Sequence, residues 1–326
     1  MLLYQFRPNV IHMKYCLLVS LCFLSIVSIF VGVKNIDFLR LNFEDVQVLL
    51  ISRLPRLVSI IVVGCSVSIT GLILQTIMKN KFVSPTTVGT IDWARLGILI
   101  AMLFFSNASP LVKMIVAFLC CLVGSFLFIK LLEKIKVKNQ ILTPLIGLMF
   151  GNVVYAIATY FAYRYDLVQN MASWLQGNFA LILKGRYELL YIGIPFLILG
   201  YLFADQFTIA GMGKSFSQNL GLNHDKVVNF GLIVVAMITS VVTVTVGALP
   251  FLDLIVPNLV SMIRGDNLKN SLLDTALLGA NFVLLCDIMG RIIIYPYEIS
   301  IGMMISVIGS AIFLWMVLRG QKNGAL

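Results

Sequence analysis

The run "SRLPRLVSIIVVGCSVSITGLILQTI", Ser52–Ile77, sets two arginines before a stretch, Leu57–Ile77, that contains no charge. About 20 apolar residues cross the hydrocarbon core of a bilayer as a helix, and a helix is the form in which one such segment satisfies its own backbone. The run is therefore read as a membrane span. Applied along the chain, the same rule gives about ten spans: 15–33, 57–77, 88–106, 111–131, 141–163, 187–205, 227–247, 250–263, 272–294 and 299–318. The eighth is short and is expected to be broken or tilted. A composition of 60% hydrophobic and 12% charged residues, with a mean hydropathy of +1.00, excludes an ordinary soluble domain. The first run is read as a retained helix, because it is long enough to span and has no small-residue cleavage exit. The expectation is an all-α polytopic membrane protein forming one domain over 1–326, with a polar segment at 206–226.

With these spans, one side of the membrane receives Arg7, Lys14, Lys79, Lys81, Lys130, Lys134, Lys136, Lys138, Lys214, Lys226, Arg264, Lys269, Arg319 and Lys322. The other receives Lys34, Arg40, Arg53, Arg56, Arg164, Lys184, Arg186 and Arg291. Cytoplasmic loops carry the excess of Lys and Arg, so both termini are expected to be cytoplasmic. Orientation in a bilayer also accounts for the net charge of +10 without a nucleic-acid partner. Arg53 and Arg56 then fall on the external face, against the bias. They are read either as side chains snorkelling to headgroups or as a cationic lip for an acidic partner.

Cys16, Cys22, Cys65, Cys120, Cys121 and Cys286 all fall in apolar runs and the chain has only two histidines, so core cysteines are expected rather than redox or metal chemistry. "GMGKS", Gly211–Ser215, is not a nucleotide-binding loop: Thr208 stands where the pattern needs glycine, and a membrane helix precedes it instead of a strand. The segment around it reads as a short helix outside the membrane, suited to a cytoplasmic partner, or as a plain linker. Gly64, Ser68 and Gly71 line one helical face and permit close packing of helices. Charges within spans are costly unless paired or facing a cavity. Asp92 and Arg95 are three apart and Asp287 and Arg291 four apart, so each couple can pair on one helix face or line a pathway. Asp253, with no neighbour of opposite sign, is expected at a helix end or a water-filled cavity. No nucleophile–base or paired-carboxylate arrangement points to an enzyme, and a transporter or channel is the default.

Three stretches carry a resemblance. "RLPRLVSIIVVGCSVSITGLILQTIMKNKFVSPTTVG" from residue 53, "GALPFLDLIVPNLVSMIRGDN" from residue 247 and "LLGANFVLLCDIMGRIIIYPYEISIGMMISVIGSAIFLWMVL" from residue 277 resemble, in order and separation, the FecCD-like permeases of bacterial ABC importers for iron-siderophores and vitamin B12. The resemblance implies the type II importer fold, with ten helices and helices two to five related to seven to ten by an inverted repeat. It implies an inner-membrane location, a second permease subunit (a copy or a paralogue), a cytoplasmic ATP-binding subunit, and a periplasmic or lipid-anchored siderophore-binding protein. ATP and Mg would bind the ATPase partner and no cofactor this chain. It assigns ATPase coupling to Gly211, Met212, Gly213, Ser215, Leu220 and Gly221, and docking of the binding protein to Arg53, Arg56 and Arg291. The sequence departs from the family's pattern at "GTIDWARLG", "FLDLIVPN" and "EISIG", which place Asp92, Trp93, Arg95, Asp253, Asn258 and Ser300 where smaller or different residues are usual. Asp92, Arg95, Asp253 and Asn258 are accordingly expected to line or gate the route of a ferric siderophore. Haem or cobalamin import is the alternative on the same scaffold. A proton-coupled carrier using Asp92, Asp253 and Asp287 is the alternative from another class.

Overall fold

A computed structural model of the chain describes residues 10–32, 42–85, 89–135, 142–180, 182, 187–265 and 267–322. Of the charges assigned to the two faces, Arg7, Lys34, Arg40, Lys136, Lys138, Lys184 and Arg186 lie outside the described residues. The helices are α1 (Val10–Phe30), α2 (Phe43–Val48), α3 (Leu54–Met78), α4 (Thr90–Phe104), α5 (Pro110–Ile135), α6 (Leu142–Arg164), α7 (Val168–Leu175), α8 (Gly193–Leu202), α9 (Ala204–Met212), α10 (Lys214–Asn219), α11 (His224–Val246), α12 (Leu252–Arg264), α13 (Leu268–Ile292) and α14 (Ile301–Lys322).

Each of the ten expected spans contains a helix, but not each helix is a full span. Seven are long and apolar enough to cross, and an eighth crossing is made if Glu188–Leu202 and Ala204–Met212, bent by 59°, count as one. The remaining two, α4 with 15 residues and α12 with 13, fall short. At 1.5 Å per residue they reach only about 20–22 Å. Each starts from a residue in the left-handed region, Gly89 at φ 83° and Phe251 at φ 66°.

That shared defect marks equivalent positions in two halves, α3–α6 and α11–α14. The halves exchange partners: α3 packs on α12 and α13, α11 packs on α4 and α5, and α3 meets α11 between them. The two sets of contacts match under exchange of the halves, as in an inverted repeat. The small-residue face of α3 makes it possible. A Cβ on Gly64 would lie 2.7 Å from the Ala280 Cα of α13, and one on Gly71 would collide with the Asp253 backbone carbonyl of α12. Without a hydrophobic driving force between helices in lipid, such close backbone approach supplies the packing. α1 stays on the periphery, tied to α13 where Asn281 donates to the Leu17 carbonyl (3.0 Å) and accepts from Ser20 (2.8 Å). It also carries Cys16 and Cys22 on its exposed surface, whereas Cys121 and Cys286 are buried as expected.

Two segments taken as connections are helical. Phe43–Met78 runs as one helix of 36 residues, with a π turn at Leu49–Arg53 just before Pro55. A π turn is a common way to absorb a local break in the helical ladder, and it conceals the helix from a pattern search tuned to a period of 3.6. In the stretch 164–186, α7 buries Met171 and Leu175.

Candidate functional site

The two ends of the bundle differ in chemistry. α11 starts beside α10, and α13 starts beside α9, where Lys269 pairs with Asp205 at 2.6 Å. These helices of 23 and 25 residues therefore carry their far ends roughly 35 Å away.

At the α9–α10 end, Gly213 at φ 117° breaks the chain between the two short helices, and Gly221 at φ 79° closes the second. Only glycine adopts these angles without strain. Gly211 sits against Thr76 of α3, where a Cβ would come within 2.7 Å of the Thr76 carbonyl. Ser217 is buried, with its single hydroxyl proton shared between the Ile209 (3.0 Å) and Gly213 (2.8 Å) carbonyls, which ties α10 to α9. The segment is thus a rigid knuckle on α3. From it Met212, Phe216 and Leu220, four residues apart, project 56%, 46% and 56% exposed. Ser215 is exposed beside them, and Lys214 pairs with Asp225 at 2.8 Å on the surface.

At the opposite end the three arginines expected to form a lip are mostly withdrawn into the protein. Arg53 is 9% exposed and donates to the Ile29 carbonyl of α1. Arg291 is 6% exposed and donates to the Ser28 (3.0 Å) and Val31 (2.6 Å) carbonyls and to the Ser28 hydroxyl (2.6 Å). Both close the end of α1 onto the bundle. The expected Asp287–Arg291 pair forms at 2.6 Å, and Arg56 joins it: its guanidinium meets Asp287 at 2.7 Å and Glu298 at 2.9 Å. Of the three arginines, Arg56 alone stands at the rim, with a carboxylate partner, Glu298, that is itself partly open to solvent.

The residues expected along a route separate into two groups. Asp253 sits in the first turn of α12, where the positive end of the helix favours a carboxylate, and accepts a hydrogen bond from Ser84. Gln75 donates to its backbone carbonyl (3.3 Å), and Asn258 donates to the carbonyls of Lys81 (2.8 Å) and Leu254 (2.8 Å). Asp253 and Asn258 are therefore buried latches that hold the α3–α4 connection on α12, and the helix-end reading of Asp253 is the one realised. Asp92 and Arg95 form no ion pair with each other. Asp92 lies over Gly151 of α6, while the Arg95 guanidinium stacks on Tyr155 at 4.5 Å. Both therefore face α6, and a cation–π contact replaces the expected pair.

The sequence reading passed over Asp274. It is completely buried in α13 and pairs with Arg264 at the end of α12. A carboxylate inside the span 272–294 was a findable signal. Its partner, ten residues earlier in another helix, was not. Glu298 and Ser84 were missed because they lie in connections. Among the described residues no group of His, Cys, Asp and Glu is arranged to hold a metal ion.

A bundle of two inverted halves with a rigid knuckle at one end and a charged rim at the other defines a membrane permease. The chain belongs to the FecCD transport family, whose profile matches residues 17–319. It is 60% identical over 306 residues, 93% of this chain and 97% of the other, to the petrobactin import system permease protein YclN of Bacillus subtilis. It is 37% identical, over 95% of this chain and all of the other, to the ferric-anguibactin transport system permease protein FatD of Vibrio anguillarum. A solved inward-facing ABC transporter described as of metal-chelate type shares the fold, with a TM-score of 0.83 at 20% identity over 94% of this chain and 99% of that one.

Proposed function

We propose that the chain is the membrane-spanning permease subunit of an ATP-driven importer that carries a ferric siderophore into the cytoplasm. The observation that carries this reading is the 60% identity, over nearly the full length of both chains, to a petrobactin import permease. The chain performs no chemistry of its own: a separate ATP-binding subunit, with its ATP and Mg, hydrolyses the nucleotide.

The charge distribution supports placing the α9–α10 end and both termini in the cytoplasm of a bacterial inner membrane. A helix with an apolar edge outside the bilayer is suited to a groove on a partner, so Met212, Phe216 and Leu220 are assigned to the ATPase cleft. Gly211, Gly213, Ser215 and Gly221 set the angle and surface of that knuckle. Its seat on Thr76 of α3 gives a motion of the ATPase a direct path into the bundle. On the external side, Arg56 is assigned to the siderophore-binding protein: an acidic residue there would exchange with Glu298. Arg53 and Arg291 position that rim by holding α1. The route for the chelate lies against a second permease subunit, with Asp92 and Arg95 on its wall and Asp253 and Asn258 as gate latches rather than lining. Asp287 is held by Arg56 and Arg291 as a structural anchor of the rim, which weighs against its use in a proton-coupled carrier.

The test is reconstitution of the tagged chain with co-purifying subunits in liposomes and measurement of radioiron uptake from a ferric siderophore. ATP-dependent uptake that persists when the proton gradient is collapsed is expected. Uptake by the chain alone, driven by the gradient without an ATPase, would refute the reading.

A further inference from the structure

At the end of the bundle that carries the arginine rim, a cavity of about 380 Å³ opens between the end of α4, the start of α5, α7 and the end of α11. Its polar wall is Lys113, Asn170, Ser173, Gln176 and Asn178, with Trp174 among its apolar lining. Among the described residues of the lining, Lys113 is the one that carries a charge, and none is a carboxylate. Its ammonium donates to the Ser106 carbonyl at 2.7 Å, which leaves two of its three donors. Pro110, the first residue of α5, also lines the cavity, so the positive end of that helix adds to the field.

The cavity is built rigidly. The Trp174 indole donates to the Val244 carbonyl (3.1 Å), and the backbones of Leu175 and Ala248 and of Asn178 and Val246 are joined at 3.0 Å. Gln176 donates to the Ser300 hydroxyl at 3.0 Å, and Gly302 donates to the Gly177 carbonyl at 2.9 Å. Ser300 is two residues from Glu298, the partner of Arg56. One short segment thus spans the rim and the cavity, and the departure of Ser300 from the family's proline acquires a use.

We propose that this cavity is an outer subsite that receives an anionic oxygen-rich arm of the chelate, a catecholate or a carboxylate. Lys113 is its charge partner, Asn170, Ser173 and Asn178 supply hydrogen bonds, and Trp174 packs against the arm's apolar part. This rests on the importer reading above. Clefts for small ligands run to roughly 300–1,000 Å³, so 380 Å³ accepts an arm rather than a whole ferric chelate. Because a ferric tris-catecholate carries three negative charges and a ferric tris-hydroxamate none, Lys113 discriminates between them.

The test uses the permease assembled with its ATPase in nanodiscs, titrated with a ferric tris-catecholate, ferric citrate and a neutral ferric tris-hydroxamate. The signal is the part of tryptophan quenching that Trp174→Phe removes. Saturable quenching by an anionic probe is expected, with affinity about tenfold weaker in Lys113→Gln, the loss of one charge-assisted hydrogen bond, and restored in Lys113→Arg. Whether the catecholate or the citrate saturates identifies the arm. Equal quenching by the neutral probe, or a Lys113→Gln variant that titrates like the parent, overturns the proposal. Radioiron uptake in liposomes separates the two readings. ATP-driven uptake without Trp174 quenching sinks the subsite alone, and quenching without ATP-driven uptake of any ferric chelate sinks the importer.

Discussion

Replacing Asp287 by Asn removes the charge shared by Arg56 and Arg291 while keeping the side chain's shape. The Asp287 side chain is 1% exposed, and its two partners are 15% and 6% exposed. Breaking a buried pair typically costs about 3–5 kcal/mol, because the remaining charge stays desolvated. Here the cost falls near the lower bound: Arg291 keeps three acceptors on Ser28 and Val31, and Arg56 keeps Glu298. At about 2 °C per kcal/mol for a chain of this size, the expected loss is about 6 °C in apparent Tm. The assay is the fraction of monodisperse protein left after a fixed heating time in detergent, read by size exclusion, since unfolding of such a protein is a rate process. Asp225→Asn is the internal control: the Lys214–Asp225 pair is 57% and 67% exposed and should contribute less than about 1 kcal/mol. If Asp287→Asn and Asp225→Asn melt within 1 °C of each other, by this approximate scale, the arginine cluster does not hold this end together and the reasoning is wrong.

Gly71→Val drives a side chain into the Asp253 carbonyl, so the variant is expected to lose its monodisperse peak altogether; recovery of a parent-like peak would show that α3 and α12 are not in close contact. Arg264→Met strands Asp274 in the core and should lower the apparent Tm by at least as much as Asp287→Asn, whereas Arg264→Met with Asp274→Leu should regain most of it. Leu220→Asp changes the exposed residue that caps α10, so it should leave the melting temperature unchanged while abolishing recovery of the ATPase on the tagged chain. Retention of the ATPase would move the coupling contact elsewhere.

The spans were legible because hydrophobic length is a property of each segment alone. The Asp287–Arg291 pair was legible for the same reason, its members being four apart on one helix. The α9–α10 segment announced itself through polarity and its flanking glycines. What misled was local chemistry with a distant partner. Asp92 and Arg95 have the right spacing to pair, yet Tyr155 on α6 offers Arg95 a ring. The helix through Phe43–Met78 was hidden by Glu44, Asp45, Arg53 and Pro55, which read as a loop, whereas a π turn precedes Pro55 and α1 takes up Arg53. Asp253 could be placed at a helix end, but not bonded to Ser84.

By itself the sequence determined that the chain crosses a membrane many times and roughly where its apolar helices run, since the bilayer acts on each segment separately. It also held the order of motifs that marks the family. Only the tertiary structure decided the fate of the charges. In a low-dielectric interior an ion's cost depends on what stands within 3 Å or so of it. For Arg53, Arg56, Asp274 and Arg291 those neighbours come from other helices, and for Asp253 from the α3–α4 connection, brought up by small-residue contacts such as Gly64 on Ala280.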